Sequence, residues 1–196
     1  MDNQHPTTED AELDAMRHSC AHVMAAAIQT LWPDAQFGVG PTIDNGFYYD
    51  VYLPTALTEA DLPKIETAMR KIRKKKIRFN RKDLPVEEAI TYMESTNQPF
   101  KVDLLRLLKE RGSTAITKAV ADDKTAALEQ NDSGVATVSF YETGSFTDLC
   151  RGPHVEHSGA IGKFSLQRLA GAYWRGDEKR PQLQRIYGLC FATDEA

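Results

Sequence analysis

Cysteine is scarce. Three cysteines in 196 residues are too few, and odd in number, for a disulfide framework. No apolar run nears the ~18 residues of a membrane span, and the longest useful one, Val23–Ile28, is short and alanine-rich. The N-terminal stretch MDNQHPTTEDAELD is polar and acidic, the reverse of a signal or transit peptide. Nucleotide loops are missing as well. There is no Walker loop, and Gly38-Val39-Gly40 runs into Pro41 rather than into a helix with a third glycine. No G-x-S-x-G elbow is present for an ordinary serine esterase. These absences predict a cytoplasmic protein with no membrane partner and no ATP or dinucleotide site. What remains is an ordinary globular mixture, 41% hydrophobic and 27% charged. At this size roughly 70% of the unfolded chain's surface can be buried without a staple.

Charge is unevenly placed. The total is −4, yet Lys64, Arg70, Lys71, Arg73, Lys74, Lys75, Lys76, Arg78, Arg81 and Lys82 fall in one stretch opposed only by Glu66. The rest of the chain is correspondingly acidic. Such asymmetry suggests a polyanion docking on one edge; a solvated helix face gives the same pattern.

Along the chain, residues 1–10 read as a disordered tail. Leu13, Met16, Cys20, Val23, Met24, Ala27 and Leu31 recur at helical spacing and predict a helix from Ala11 to Trp32 with one buried stripe. Pro33 ends it. VGPTIDNGFYYDVYL predicts two strands turning at Asn45-Gly46. Thr58, with Asp61 three residues on, predicts a capped second helix whose inner stripe is Leu62, Ile65, Met69 and Ile72. A strand over Ile77–Leu84 follows, and Pro85 opens a short helix through Met93. Phe100–Val102 reads as extended, Leu104–Glu110 as helical up to Gly112, and Ser113–Ser133 as an unassigned insertion. Val135–Tyr141, Gly162–Leu166 and Gln182–Phe191 are strand candidates, with a turn at Glu142–Ser145 and a loop over Gly171–Pro181. One α+β domain over 11–191 accommodates all of this.

Two clusters could carry chemistry. His18 and His22 in HSCAH lie one helical turn apart on one face, away from the apolar stripe and beside Ala25, Ala26 and Gln29. Ser19 stands where a zinc protease of the HExxH type needs its glutamate, so that chemistry is excluded. In FTDLCRGPHV, Cys150 and His154 are again four apart, with Gly152-Pro153 making a turn between them. Asp148 shares a strand face with Cys150 if the segment is extended. His18, His22, Cys150 and His154 make a tetrahedral zinc set; without metal they make a polar pocket in which histidines position or deprotonate water. Spacing leaves both open.

HSCAHVMAAAI, GPTIDNGFYYDV, FTDLCRGPHV and GAYWRGDEKRPQLQRIYG, taken together and in this order, resemble the N-terminal editing domain of bacterial-type threonyl-tRNA synthetase, within the threonyl/alanyl editing-domain superfamily. The resemblance covers about residues 11–191. It implies a two-part α+β fold, with antiparallel sheets packed by helices and a histidine-bearing helix lining a cleft. The activity it implies is hydrolysis of serine wrongly attached to threonine tRNA. It carries over His18, His22, Cys150 and His154 as the cluster, Asp148 as pocket aspartate, Tyr49 as pocket tyrosine and Lys101 as pocket lysine. Zinc on the four-residue cluster is a hypothesis from the alanine-specific relatives.

Two departures are visible. No ubiquitin-like domain is expected ahead of the histidine helix, and 192–196 are expected to stop where a class II catalytic core would begin. That core would be a partner; aminoacylation is not expected of these residues alone. The connection between Lys101 and Asp148 is also longer than the family's. If the substrate is a mischarged tRNA, Arg70, Lys71, Lys74 and Lys75 would meet its phosphates. The alternative is a non-catalytic, zinc-stabilised tRNA-binding appendage.

Overall fold

The computed structural model describes residues 8–111 and 136–192. The insertion over Ser113–Ser133, the stop at Gly112, and the expectations for 1–7 and 193–196 lie outside the described residues. Helix α1 spans Thr8–Leu31, so it begins three residues before the predicted Ala11 and takes in part of the expected tail. Its burial also differs from the predicted stripe. Ala15 to Ile28 are buried on nearly every side except Arg17, whereas Leu31 is 40% exposed. The run Ala25-Ala26-Ala27 presents no bulk, so neighbours close in around the whole helix.

Three partners surround it. One is a five-stranded antiparallel sheet in the order β1–β3–β8–β7, with β2 beside β3. Its strands are β1 (Gln36–Phe37), β2 (Thr42–Ile43), β3 (Gly46–Tyr52), β7 (Lys163–Tyr173) and β8 (Gln182–Phe191). The turn from β2 to β3 uses Asp44 and Asn45, one residue earlier than predicted, with Asn45 at φ 62°. Gly46 is already in the strand, where an added Cβ would stand 2.0 Å from the Gly188 carbonyl oxygen. β7 runs on to Tyr173, through residues predicted as loop, because Gly171, Ala172 and Tyr173 stay paired with β8.

The second partner is α2 (Leu62–Lys74), whose Leu62, Ile65 and Met69 are buried in the same core as Cys20, Val23 and Met24. A 3-10 turn, Glu59–Asp61, leads into it. There the Asp61 carboxylate accepts the Thr58 N–H at 2.9 Å and hydroxyl at 3.0 Å, the reciprocal half of a capping box.

The third partner is a smaller sheet, β4–β5–β6, made of β4 (Phe79–Pro85), β5 (Thr137–Thr143) and β6 (Phe146–Leu149). Its far face carries α3 (Val86–Ser95) and α4 (Pro99–Arg111) in a second core containing Ala89, Met93, Leu105, Leu108, Val138 and Phe140. The fold is thus α+β with two cores.

Phe100–Val102 is helical, not extended. Pro99 suits a first helical position, and the Val102 N–H already donates to the Gln98 carbonyl. Phe100 and Leu104, four apart, join Val39, Trp174 and Leu183 in a third cluster that ties α4 to the large sheet. That placement turns Lys101 inward, where it is 4% exposed.

Candidate active site

The site lies where the two sheets meet α1. β6 leads into the Cys150–His154 loop, whose Gly152–Pro153 peptide is cis. The loop brings Cys150 and His154 against α1, and ligand-type atoms of His18, His22, Cys150 and His154 all lie within 4.8 Å of one another. The Cys150 Sγ is 3.3 Å from His18 Nε2 and 3.3 Å from His154 Nε2. It also accepts the Gly152 N–H at 3.2 Å.

Proton positions follow from the partners. His18 Nδ1 faces the Pro153 carbonyl at 3.3 Å; a carbonyl only accepts, so Nδ1 carries the proton. Ser19 Oγ donates its single proton to the Ala15 carbonyl at 2.7 Å and accepts the Val155 N–H. His154 Nδ1, 3.0 Å from the same oxygen, is therefore the donor. Both rings then turn an Nε2 lone pair toward one sulfur. A thiol proton satisfies only one of them, and His22 Nδ1 is buried with no hydrogen-bond partner. Converging lone pairs, a thiol and fixed second nitrogens suit a cation; the four residues fit a metal such as zinc.

Burial keeps His22 and His154 neutral. It is the largest influence lowering His22 well below the ordinary imidazole value, and His18 and Lys101 add to it. His154 is lowered chiefly by burial, then by His22 and His18, against a smaller opposing pull from Asp148. Phe79 stacks on His154 at 4.8 Å.

Beside this cluster stands a second, charged group. Lys101 Nζ is 2.6 Å from Asp148 Oδ1, both side chains about 5% exposed. Tyr49 donates its hydroxyl to Asp148 Oδ2 and accepts from Lys101 at 3.1 Å. His22 Nε2, 3.5 Å from Asp148 Oδ2, joins the two groups. A cavity of about 70 Å³ opens on this side, bordered by Asp148, Lys101, Phe37, Met93, Gln98 and Phe146. None of the four cluster residues borders it.

All seven residues expected at the pocket are therefore together. Arg70, Lys71, Lys74 and Lys75 are not among them. They lie exposed on and just after α2, Arg70 paired with Glu66 at 2.5 Å. Sequence reasoning missed three supporting residues. Ser19 orients His154 and the loop, and Gln98 binds the Phe37 N–H at 2.8 Å and the Ala35 carbonyl at 3.0 Å. Phe79 forms a wall. Ser19's place between the histidines was a local signal; the other two have only long-range partners.

Comparison with known proteins fits this geometry. Residues 138–187 match the family model for the threonyl and alanyl tRNA synthetase second additional domain. A threonine–tRNA ligase of Dehalococcoides mccartyi is 45% identical over 181 residues, 92% of this chain. The chain is similar over most of its length to part of such a ligase, and over residues 138–187 to this synthetase domain. Threonine–tRNA ligases of Acetivibrio thermocellus and Bdellovibrio bacteriovorus are 44% and 43% identical over 91% and 94% of the chain. The chain spans about a quarter of the length of these relatives, 26, 24 and 25% respectively. Among the described residues no helix is long and apolar enough to cross a membrane.

Proposed function

We propose that this domain removes serine from mischarged threonine tRNA by hydrolysis, as the editing part of a threonyl-tRNA synthetase. The observation that carries the reading is the contact of two unlike groups through His22: a buried carboxylate–lysine–tyrosine triangle and a set of neutral imidazoles. One suits a small, polar, cationic amino acid; the other suits water. Serine lacks one methyl of threonine, a difference of only ~1–3 kcal/mol in a synthetic pocket, so a second, smaller sieve is needed.

Asp148, held by Tyr49, receives the seryl amino group or hydroxyl. The attacking water adds its hydroxyl to the ester carbon, its other proton passes to the departing ribose oxygen, and the products are serine and tRNA with a free terminal hydroxyl. An imidazole held so far below its usual basicity is a weak base. His154, with its Nδ1 fixed by Ser19, therefore orients the water rather than deprotonating it, and the neighbouring ribose hydroxyl assists. Lys101 spends one N–H on Asp148 and one on Tyr49, and its third faces the developing oxyanion, a kind of contact worth roughly 2.7–4 kcal/mol elsewhere. Cys150 is a wall and positioning group. Zinc, if carried, would be held by His18, His22, Cys150 and His154 and would supply structural locking.

Four protein donors fill a tetrahedron and leave no open position. That favours a second reading, a zinc-stabilised tRNA-binding appendage without catalysis. Deacylation of Ser-tRNA and Thr-tRNA of the threonine acceptor, followed side by side, separates the two. Selective loss of the seryl ester is expected; equal persistence of both rejects hydrolysis.

A further inference from the structure

The smaller sheet turns one face to the cluster, and its register fixes what stands there. Arg81 pairs with Tyr141, and Tyr141 with Asp148; antiparallel partners share a face. The row runs from solvent inward. The Arg81 side chain is 56% exposed, Tyr141 is half-buried and Asp148 is 4% exposed. Two strand spacings come to about 9–10 Å, comparable to the reach of one acylated nucleotide from ester to phosphate.

Tyr141 is built into the rim of the site. Its ring stands edge-on to His154 with centroids 4.5 Å apart, and a Cβ added at Gly152 would meet its phenol oxygen at 2.6 Å. Of the four cluster residues His154 alone is only partly buried. Arg81 is the direct cross-strand partner of Tyr141, and its guanidinium donates to Asp83 Oδ1 at 3.0 Å. Asp83 occupies part of the fork, and the Arg81 side chain is otherwise largely exposed. Neither Arg81 nor Tyr141 has a part in the mechanism above.

We propose that Arg81 and Tyr141 form the subsite for the sugar-phosphate of the 3′-terminal nucleotide, Arg81 on its phosphate and the Tyr141 hydroxyl on a ribose hydroxyl. Asp83 tempers the charge of the arginine and competes with the phosphate. The proposal rests on the deacylase reading for what is attached to that nucleotide, but not for the binding of the nucleotide itself.

The test has two arms. In the first, an uncharged CCA-ended RNA minihelix and 5′-AMP are titrated into the wild-type chain and into Arg81→Ala, Tyr141→Phe and Asp83→Asn, with circular dichroism confirming the fold of each. Arg81→Ala is expected to weaken minihelix binding about tenfold or more, as for loss of a charge-assisted bond. It should also flatten the salt dependence by roughly one phosphate contact. Asp83→Asn should tighten binding, a change that a merely structural ion pair does not produce. Unchanged affinity and salt slope in a folded Arg81→Ala protein would overturn the subsite, as would weaker binding in Asp83→Asn. In the second arm, Ser-tRNA deacylation should show the loss in Arg81→Ala and Tyr141→Phe on KM, with Arg81→Lys recovering part of it. A fall in kcat at constant KM overturns the assignment. If the wild-type chain leaves Ser-tRNA intact, the deacylase reading fails while the first arm still decides the subsite.

Discussion

Asp148 is held from two sides, by the Lys101 ammonium at 2.6 Å and by the Tyr49 hydroxyl, with both charged side chains buried. Removing one partner of such a pair leaves a buried charge uncompensated, at a cost of about 3–5 kcal/mol. Asp148→Asn should therefore lower the urea midpoint strongly as well as abolish deacylation, and Lys101→Met should do the same. Ser19 acts through others. Ser19→Ala strips His154 Nδ1 and the Val155 N–H of their acceptor, which should destabilise by about 1–3 kcal/mol. If a metal is bound, the same change should loosen it about 10–100-fold, as removal of an outer hydrogen-bond partner does, measurable by zinc titration. At this scale the sequence is informative about chemistry: the spacing in HSCAH and CRGPH names the cluster, the alternation before Cys150 points to Asp148, and only the family resemblance names Tyr49 and Lys101. Ser19 shows in the sequence only as the residue that excludes a protease, because its value depends on a histidine 135 positions away.

Among the elements, β3 is the one on which both sides of the site depend, since Tyr49 projects from it into the pocket while its backbone pairs with β8. Gly46 lets the two strands close. In Gly46→Ala the new Cβ would stand 2.0 Å from a carbonyl oxygen that belongs to the paired strand and cannot swing away. Destabilisation at the upper end of the ~1–3 kcal/mol typical of overpacking is expected, read as a lowered denaturation midpoint. The hairpin, the second helix and the helix after Pro85 are legible because their signals are local: Asn45-Gly46, the Thr58–Asp61 box, a proline at a helix start. Phe100–Val102 misleads for the opposite reason. Three residues with an aromatic and a β-branched side chain look like strand, and only the packing of Phe100 and Leu104 on Trp174 and Leu183 declares the helix.

For the whole molecule, the depressed values of His22 and His154 tie stability to pH. The unfolded chain protonates these rings near the ordinary imidazole value of about 6.5, whereas the folded chain keeps them neutral well below it. The unfolded state thus binds more protons as pH falls, and stability drops with it. Above about pH 6.5 the contribution is complete; it erodes progressively on the acid side. Urea midpoints at pH 8 and pH 5 should differ in that direction, and His154→Asn should reduce the difference. Charge operates at the same scale. Lys71, Lys74 and Lys75 lie exposed on and just after α2, outside the site. If they track RNA phosphates, the triple alanine variant should weaken binding of any RNA alike and lower the salt slope by nearly one for each phosphate no longer neutralised. An unchanged slope would leave them as a solvated face.

Neighbouring positions are enough to specify the class of fold, most of the elements, and the imidazoles and thiol from which a site could be made, because helical period, turn residues and short spacings are local properties. Long-range packing is what wraps α1 on all sides, turns Lys101 inward on a helix and sets His22 against Asp148. Those outcomes depend on which surfaces meet across the chain, and the free energy of burying them is shared among residues that no local pattern links.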